Sequence, residues 1–148
     1  MIQLTESIWI GNSIDEKTAD LVNVKVSAVL NVAQDLHGER GWSDGIEYAQ
    51  VGLIDGPGNP LSAYYAAVLT LATLSKRKRV MVCCHTGGRS IAVVLMYLRL
   101  MNGEGVSWEN QLEILHERVD IELPVPHNAH KEAFNRMKWR SLANLVGG

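Results

Sequence analysis

Residues 80–90, VMVCCHTGGRS, run from strand-forming residues through two adjacent cysteines and two glycines to an arginine and a serine. Val80 to Val82 predict a short apolar strand buried at the centre of a sheet. From Ser90, SIAVVLMYLRLM is apolar almost all round and predicts a central buried helix, stopped by Asn102-Gly103. The order strand, glycine-bearing turn, buried helix is informative in itself. In open α/β sheets ligands bind outside the carboxyl ends of the strands, and helix N-termini there favour anions.

Working outward, Ile8-Trp9-Ile10 before Gly11-Asn12 reads as a strand ending in a turn, and TADLVNVKV as a short helix. SAVLNVA, residues 27–33, is apolar on both faces, as buried parallel strands are. HGERGWSDG reads as a loop, and IEYAQVGLID as a strand ending at Asp55. Past the stiff turn GPGNP, Asn59 is the expected N-cap and Pro60 the first residue of a helix. Its inner face is set by Leu61, Tyr65, Val68 and Leu71 or Ala72, with Tyr64 and Tyr65 read as helix packing. Ser107 is expected to cap a helix whose inner face carries Trp108, Leu112, Leu115 and Val119. After LPVP, Asn128 opens one last helix through Phe134 and Met137 toward Leu145. Strands alternating with helices predict a single α/β domain over residues 1–148, with a mainly parallel sheet of about four to five strands flanked by helices.

The 148 residues suffice for one domain and are too few for two ordinary ones. With 47% apolar and 20% charged residues the composition is that of a globular protein. A net charge of −2 without a basic stripe argues against nucleic-acid binding. The exception, Lys76-Arg77-Lys78-Arg79, falls where a helix ends and suits a solvated turn. MIQLTESIWIGN has no basic segment before an apolar stretch, so no signal peptide is expected, and the longest apolar run is too short to span a bilayer. Adjacent cysteines form no disulfide framework and offer no zinc spacing. A reducing, cytoplasmic setting fits best.

The turn from Cys83 to Arg89 can gather backbone N–H groups around one anion, which Gly87 and Gly88 make sterically easy. Arg89 adds a planar fork for phosphate or sulfate oxygens. A cysteine at the base of such a nest sits in positive potential, which favours the nucleophilic thiolate. The plainer reading is a pair of small core cysteines beside a turn. Against it stand an arginine and a serine at the head of an otherwise apolar helix.

Cys83, five residues, Arg89 and Ser90 resemble the C-x5-R-[ST] signature of cysteine-based protein phosphatases. IWIGN, VSAVLNVA, VGLID, RSIAVVLMYLRLMNG and SWENQLEILHERV follow in order the landmarks of compact dual-specificity phosphatases, over most of residues 7–119. The resemblance implies hydrolysis of phosphoprotein phosphomonoesters (phosphotyrosine, phosphoserine and phosphothreonine) through a cysteinyl-phosphate. It implies no metal or other cofactor. The phosphate is expected to lie on Cys84, His85, Thr86, Gly87, Gly88 and Arg89. Ser90 would hydrogen-bond the departing thiolate, and Asp55 would be the general acid and then the base.

The two cysteines leave two assignments. With Cys83 as nucleophile, Val82 and Thr86 stand where the family has His and Gly. With Cys84, Cys83 takes the His place and Gly87 the Gly place, but only four residues precede Arg89. A shortened ring would displace the guanidinium, and small misplacements are expensive in catalysis, so Cys83 is preferred. His127 and His130 read as surface residues at a helix start rather than metal ligands, and Arg40 and Trp42 lie on a loop that the resemblance brings to the pocket rim. The departures also admit a pseudophosphatase that binds phosphorylated partners without turnover. A rhodanese-type sulfurtransferase is a further rival, against which Ser90 and Asp55 argue.

Overall fold

A computed structural model of the chain describes residues 1–11, 25–35 and 46–147. The five strands among the described residues are β1 (Ile2–Gln3), β2 (Ile8–Gly11), β3 (Ala28–Ala33), β4 (Glu47–Leu53) and β5 (Val80–Cys83). They form one sheet in the order β1-β2-β5-β3-β4, parallel throughout except for β1. The described helices are α1 (Leu61–Ser75), α2 (Gly88–Asn102), α3 (Trp108–Arg118), α4 (Asn128–Arg136) and α5 (Trp139–Gly147). The expected α/β architecture with a mainly parallel sheet is present. Residues 18–24 of the helix expected within TADLVNVKV, and the loop bearing Arg40 and Trp42, lie outside the described residues.

Period-two alternation divides the strands between two apolar clusters. Val80 and Val82 of β5, with Ala28, Leu30 and Val32 of β3, face the larger core, to which all five described helices contribute. Met81 and Cys83 face the other way, with Trp9, Val26 and Val29. Helix α2 lies against the sheet with Ile91 to Met96 wholly buried. Apart from Ala92, each of these side chains contributes roughly 1.5–3 kcal/mol by leaving water. The helix is stopped by Gly103, at φ 84, as the sequence led one to expect. Ser107 caps α3 by accepting from the Asn110 N–H at 3.1 Å. The basic run 76–79 follows α1, with Lys78 beside Glu47 and the Arg79 guanidinium 5.7 Å from the Trp9 ring centroid.

Three local expectations are corrected. Asn59 caps no helix: its Oδ1 accepts from the Ile54 N–H at 2.8 Å and its Nδ2 donates to the Ile54 carbonyl at 2.8 Å. It therefore closes the turn 54–59, and Pro60 takes the N-cap place. In α1, Tyr64 is buried, whereas Leu61 and Tyr65 pack on the core only in part. The last helix is two helices, because Met137 is extended at φ −66, ψ 144. There the Lys138 N–H donates to the Tyr65 hydroxyl at 2.8 Å and the Trp139 indole to the Phe134 carbonyl at 3.0 Å, side-chain partners that replace helical bonds at the break.

Candidate active site

The parallel register brings three strand ends together, with Gly11 of β2 and Asn31 of β3 both opposite Cys83. The chain then turns through residues 84–87 into α2, whose N-cap, Gly87, is left-handed at φ 96. Cys84 points into this turn. Its Sγ accepts from the Gly87 N–H at 3.1 Å and from Ser90 Oγ at 3.3 Å, and the residue is fully buried. Cys83, preferred from the five-residue spacing, does not share this environment. It is the last residue of β5 and packs on the face carrying Trp9, Val29 and Met81, since successive strand residues point to opposite sides.

Gly87 and Gly88 are held from above by the segment 123–126. A Cβ on Gly87 would meet Pro124 Cγ at 2.6 Å, and one on Gly88 would lie 3.3 Å from the Val125 carbonyl oxygen. Glycine at 87 thus answers both a left-handed backbone and a close neighbour. The amides of Gly88, Arg89 and Ser90 fall in the first turn of α2, where no helical acceptor exists.

Arg89 is only 3% exposed. Its Nη1 donates to Asp35 Oδ1 at 2.9 Å and to the Leu53 carbonyl at 2.8 Å, while Nε has no hydrogen-bond partner among the described residues. Asp35, just past β3, also lies 3.4 Å from His85 Nε2. The hydrogen bond from Arg89 holds the Asp35 carboxyl below its ordinary range, assisted by the nearby charges and opposed by slight desolvation. The sequence reading missed Asp35, although its place at the carboxyl end of a parallel strand was a usable signal.

Asp55 follows β4 by two residues, with a half-exposed side chain whose Oδ1 lies 3.3 Å from His130 Nε2. His130 is not a surface residue, as expected from its place near a helix start, but wholly buried. Its Nδ1 is 2.7 Å from the Tyr64 hydroxyl. Burial pushes its imidazole below the ordinary histidine range, and the Asp55 carboxylate pulls the other way. His127 caps α4 by accepting from the Ala129 N–H at 3.0 Å. Among the described residues no three His, Cys, Asp or Glu side chains gather as a metal site, and no helix is long and apolar enough to cross a membrane.

No family model matches the chain and no curated protein does. Solved structures do. DUSP15 aligns at a TM-score of 0.78 with 17% identity, over 99% of this chain and 94% of that one. The fold is that of the dual-specificity phosphatases. The human tyrosine phosphatase-like serine/threonine/tyrosine-interacting protein aligns at 0.74 with 16% identity, over 95% of this chain and 97% of its own. P. aeruginosa TpbA, in a structure of a variant in complex with pTyr, aligns at 0.70 with 12% identity, over 99% and 89%. On this dual-specificity phosphatase fold the turn 84–89 lies at the head of α2, with Asp35 following β3, which adjoins β5, and Asp55 following β4, one strand further out.

Proposed function

We propose that the protein is a phosphomonoester hydrolase working through a cysteinyl-phosphate, with Cys84 as the nucleophile. The observation that carries the reading is the Cys84 sulfur, which accepts hydrogen bonds from the Gly87 amide and the Ser90 hydroxyl at the head of α2. Two donors aimed at one sulfur stabilise negative charge there. The five-residue spacing that favoured Cys83 gives way to this placement, at the cost of a ring one residue shorter than the family signature.

In the first step the Cys84 thiolate attacks phosphorus. The S–P bond forms, the bond to the leaving oxygen breaks, and Asp55 gives that oxygen a proton. Arg89, tethered through Nη1, offers Nε and its remaining N–H groups to the equatorial oxygens, and the first-turn amides of α2 add to the clamp. In the second step water attacks phosphorus, Asp55 takes its proton, and Ser90 Oγ–H steadies the sulfur as the S–P bond breaks and inorganic phosphate leaves. His85, Thr86 and the glycines shape the ring. The substrate class is the phosphorylated protein side chain, with small phosphomonoesters as surrogates. The neighbour captured in complex with pTyr supports it.

The four-residue spacing between Cys84 and Arg89 favours a second reading, a module that binds phosphorylated partners with little turnover. One assay separates the two. Phosphate release from p-nitrophenyl phosphate is measured for the wild type and Cys84→Ser, and the phosphoryl group trapped during turnover is mapped by mass spectrometry. The hydrolase reading expects release that Cys84→Ser abolishes and a phosphocysteine at residue 84. Tight oxyanion binding with no release above Cys84→Ser establishes the binding module instead.

A further inference from the structure

From Asn59 onward, the hydrogen bonds behind Asp55 can be followed in one direction, through Tyr64 and His130 to the carboxyl. The Ile54 N–H donates to Asn59 Oδ1 at 2.8 Å, which orients the amide and turns Nδ2 toward the Tyr64 hydroxyl oxygen, 3.1 Å away. Tyr64 accepts there, so its single proton is directed to its other close partner, His130 Nδ1, at 2.7 Å. A neutral imidazole that accepts at Nδ1 carries its proton on Nε2. That proton points at Asp55 Oδ1, 3.3 Å away. These bonds meet at Tyr64 and His130, which are 2% and 0% exposed, so water does not compete for the bond between those two side chains. Together the bonds join three parts of the chain: the turn 54–59, α1 and α4.

We propose that His130 is the positioning residue for the acid: by donating to Oδ1 it fixes the Asp55 carboxyl so that Oδ2 carries the transferable proton. The inference rests on the hydrolase reading above. In the first step the O–H bond at Oδ2 breaks, and the proton passes to the leaving oxygen as its bond to phosphorus breaks. In the second step Oδ2 takes a proton from the attacking water. The His130 proton stays on Nε2 throughout, so the residue orients the reaction without exchanging protons with it. Burial of the imidazole, which disfavours its charged form, keeps that donor neutral. A half-exposed carboxyl on a glycine-flanked turn needs such a partner, because an ångström of misplacement in a catalytic group is worth about 100-fold in rate.

The test compares phenyl phosphate, whose leaving group needs a proton, with p-nitrophenyl phosphate, whose leaving group departs readily without one. Turnover on both is measured for the wild type, Asp55→Asn, His130→Ala, His130→Gln and Tyr64→Phe, with thermal melts to establish folding. In His130→Ala, kcat on phenyl phosphate is expected to fall by up to about 100-fold, with far less effect on p-nitrophenyl phosphate and little on KM. His130→Gln, which restores an N–H donor, recovers part of the loss. Tyr64→Phe shows the same leaving-group pattern more weakly, and carries the test if His130→Ala does not fold. If Asp55→Asn is leaving-group dependent but the His130 and Tyr64 variants lose rate equally on both substrates, or lose none, the positioning role is overturned and the hydrolase reading stands. If Asp55→Asn itself shows no dependence, the acid assignment falls and the inference with it. No turnover in the wild type overturns both the hydrolase reading and the inference.

Discussion

Asp35 Oδ1 lies 2.9 Å from Arg89 Nη1, so that a carboxylate 65% exposed holds a guanidinium only 4% exposed. The pairing is unequal. Water can replace the arginine for Asp35, but little can replace the aspartate for a buried charge. Asp35→Asn should therefore weaken the grip on oxyanions more than it weakens the fold, raising the vanadate inhibition constant by roughly 10-fold (about 1.4 kcal/mol). The pH dependence has a definite sign. Asp35 titrates lower in the folded protein than its ordinary 3.8, so its contribution to stability is complete above that value and fades as pH falls through the lower, folded one. The difference in Tm between the wild type and Asp35→Asn should shrink only below about pH 4.

The two thiols should separate cleanly. Cys84→Ser is expected to abolish turnover yet retain vanadate binding, because Arg89 and the α2 amides still clamp the anion. Cys83→Ala removes one buried sulfur from the Trp9–Met81 side of the sheet and should cost about 1 kcal/mol of stability with turnover within a few-fold of wild type. Phosphate trapped on residue 83, or an inactive Cys83→Ala that melts normally, would restore the five-residue spacing.

Gly87 and Gly105 make a controlled pair, at φ 96 and φ 85. An added Cβ at Gly105 has nothing within 4 Å, so Gly105→Ala should cost only the left-handed penalty of about 1–2 kcal/mol. Gly87→Ala adds a collision with the Pro124 ring and should cost about 1–3 kcal/mol more. Urea denaturation of both variants measures the difference, and equal losses would mean that the 123–126 segment yields.

His130 predicts a second pH effect. Its imidazole titrates below the ordinary 6.5 in the fold, whereas the unfolded chain takes up the proton at that value. Between the two the unfolded state binds more protons, so stability rises with pH across this window and declines as pH drops below about 6.5. Tm measured from pH 7.5 to 5 should show this slope in the wild type and a flatter one in His130→Gln. Superimposable profiles would place the slope on another group.

The elements that enclose the large core were legible because apolar runs and punctuating residues agree along the sequence. Gly103 and Ser107 bracket α2 and α3 as their chemistry demands. Interactions that leap along the chain were not legible. Asn59 reads as a cap because Asn-Pro favours one, yet the nearby Ile54 backbone and Tyr64 hydroxyl outcompete that role. His130 reaches Tyr64 and Asp55 across 66 and 75 residues, and no local pattern announces a contact of that span. The cysteine pair is the instructive case. Counting residues to Arg89 selected Cys83, whereas strand alternation already placed it in phase with Met81. What the sequence withheld was which face of the sheet α2 would cover.

Pro124 stands against Gly87 with no room for even one methyl group. The length of the turn 84–87 and the path of the 123–126 crossing are therefore sterically coupled. A residue inserted between Cys84 and Arg89 to recover the commoner spacing would have to bulge into the place the proline ring occupies. Grafting a longer turn from a structural neighbour should succeed only when that neighbour's crossing segment travels with it.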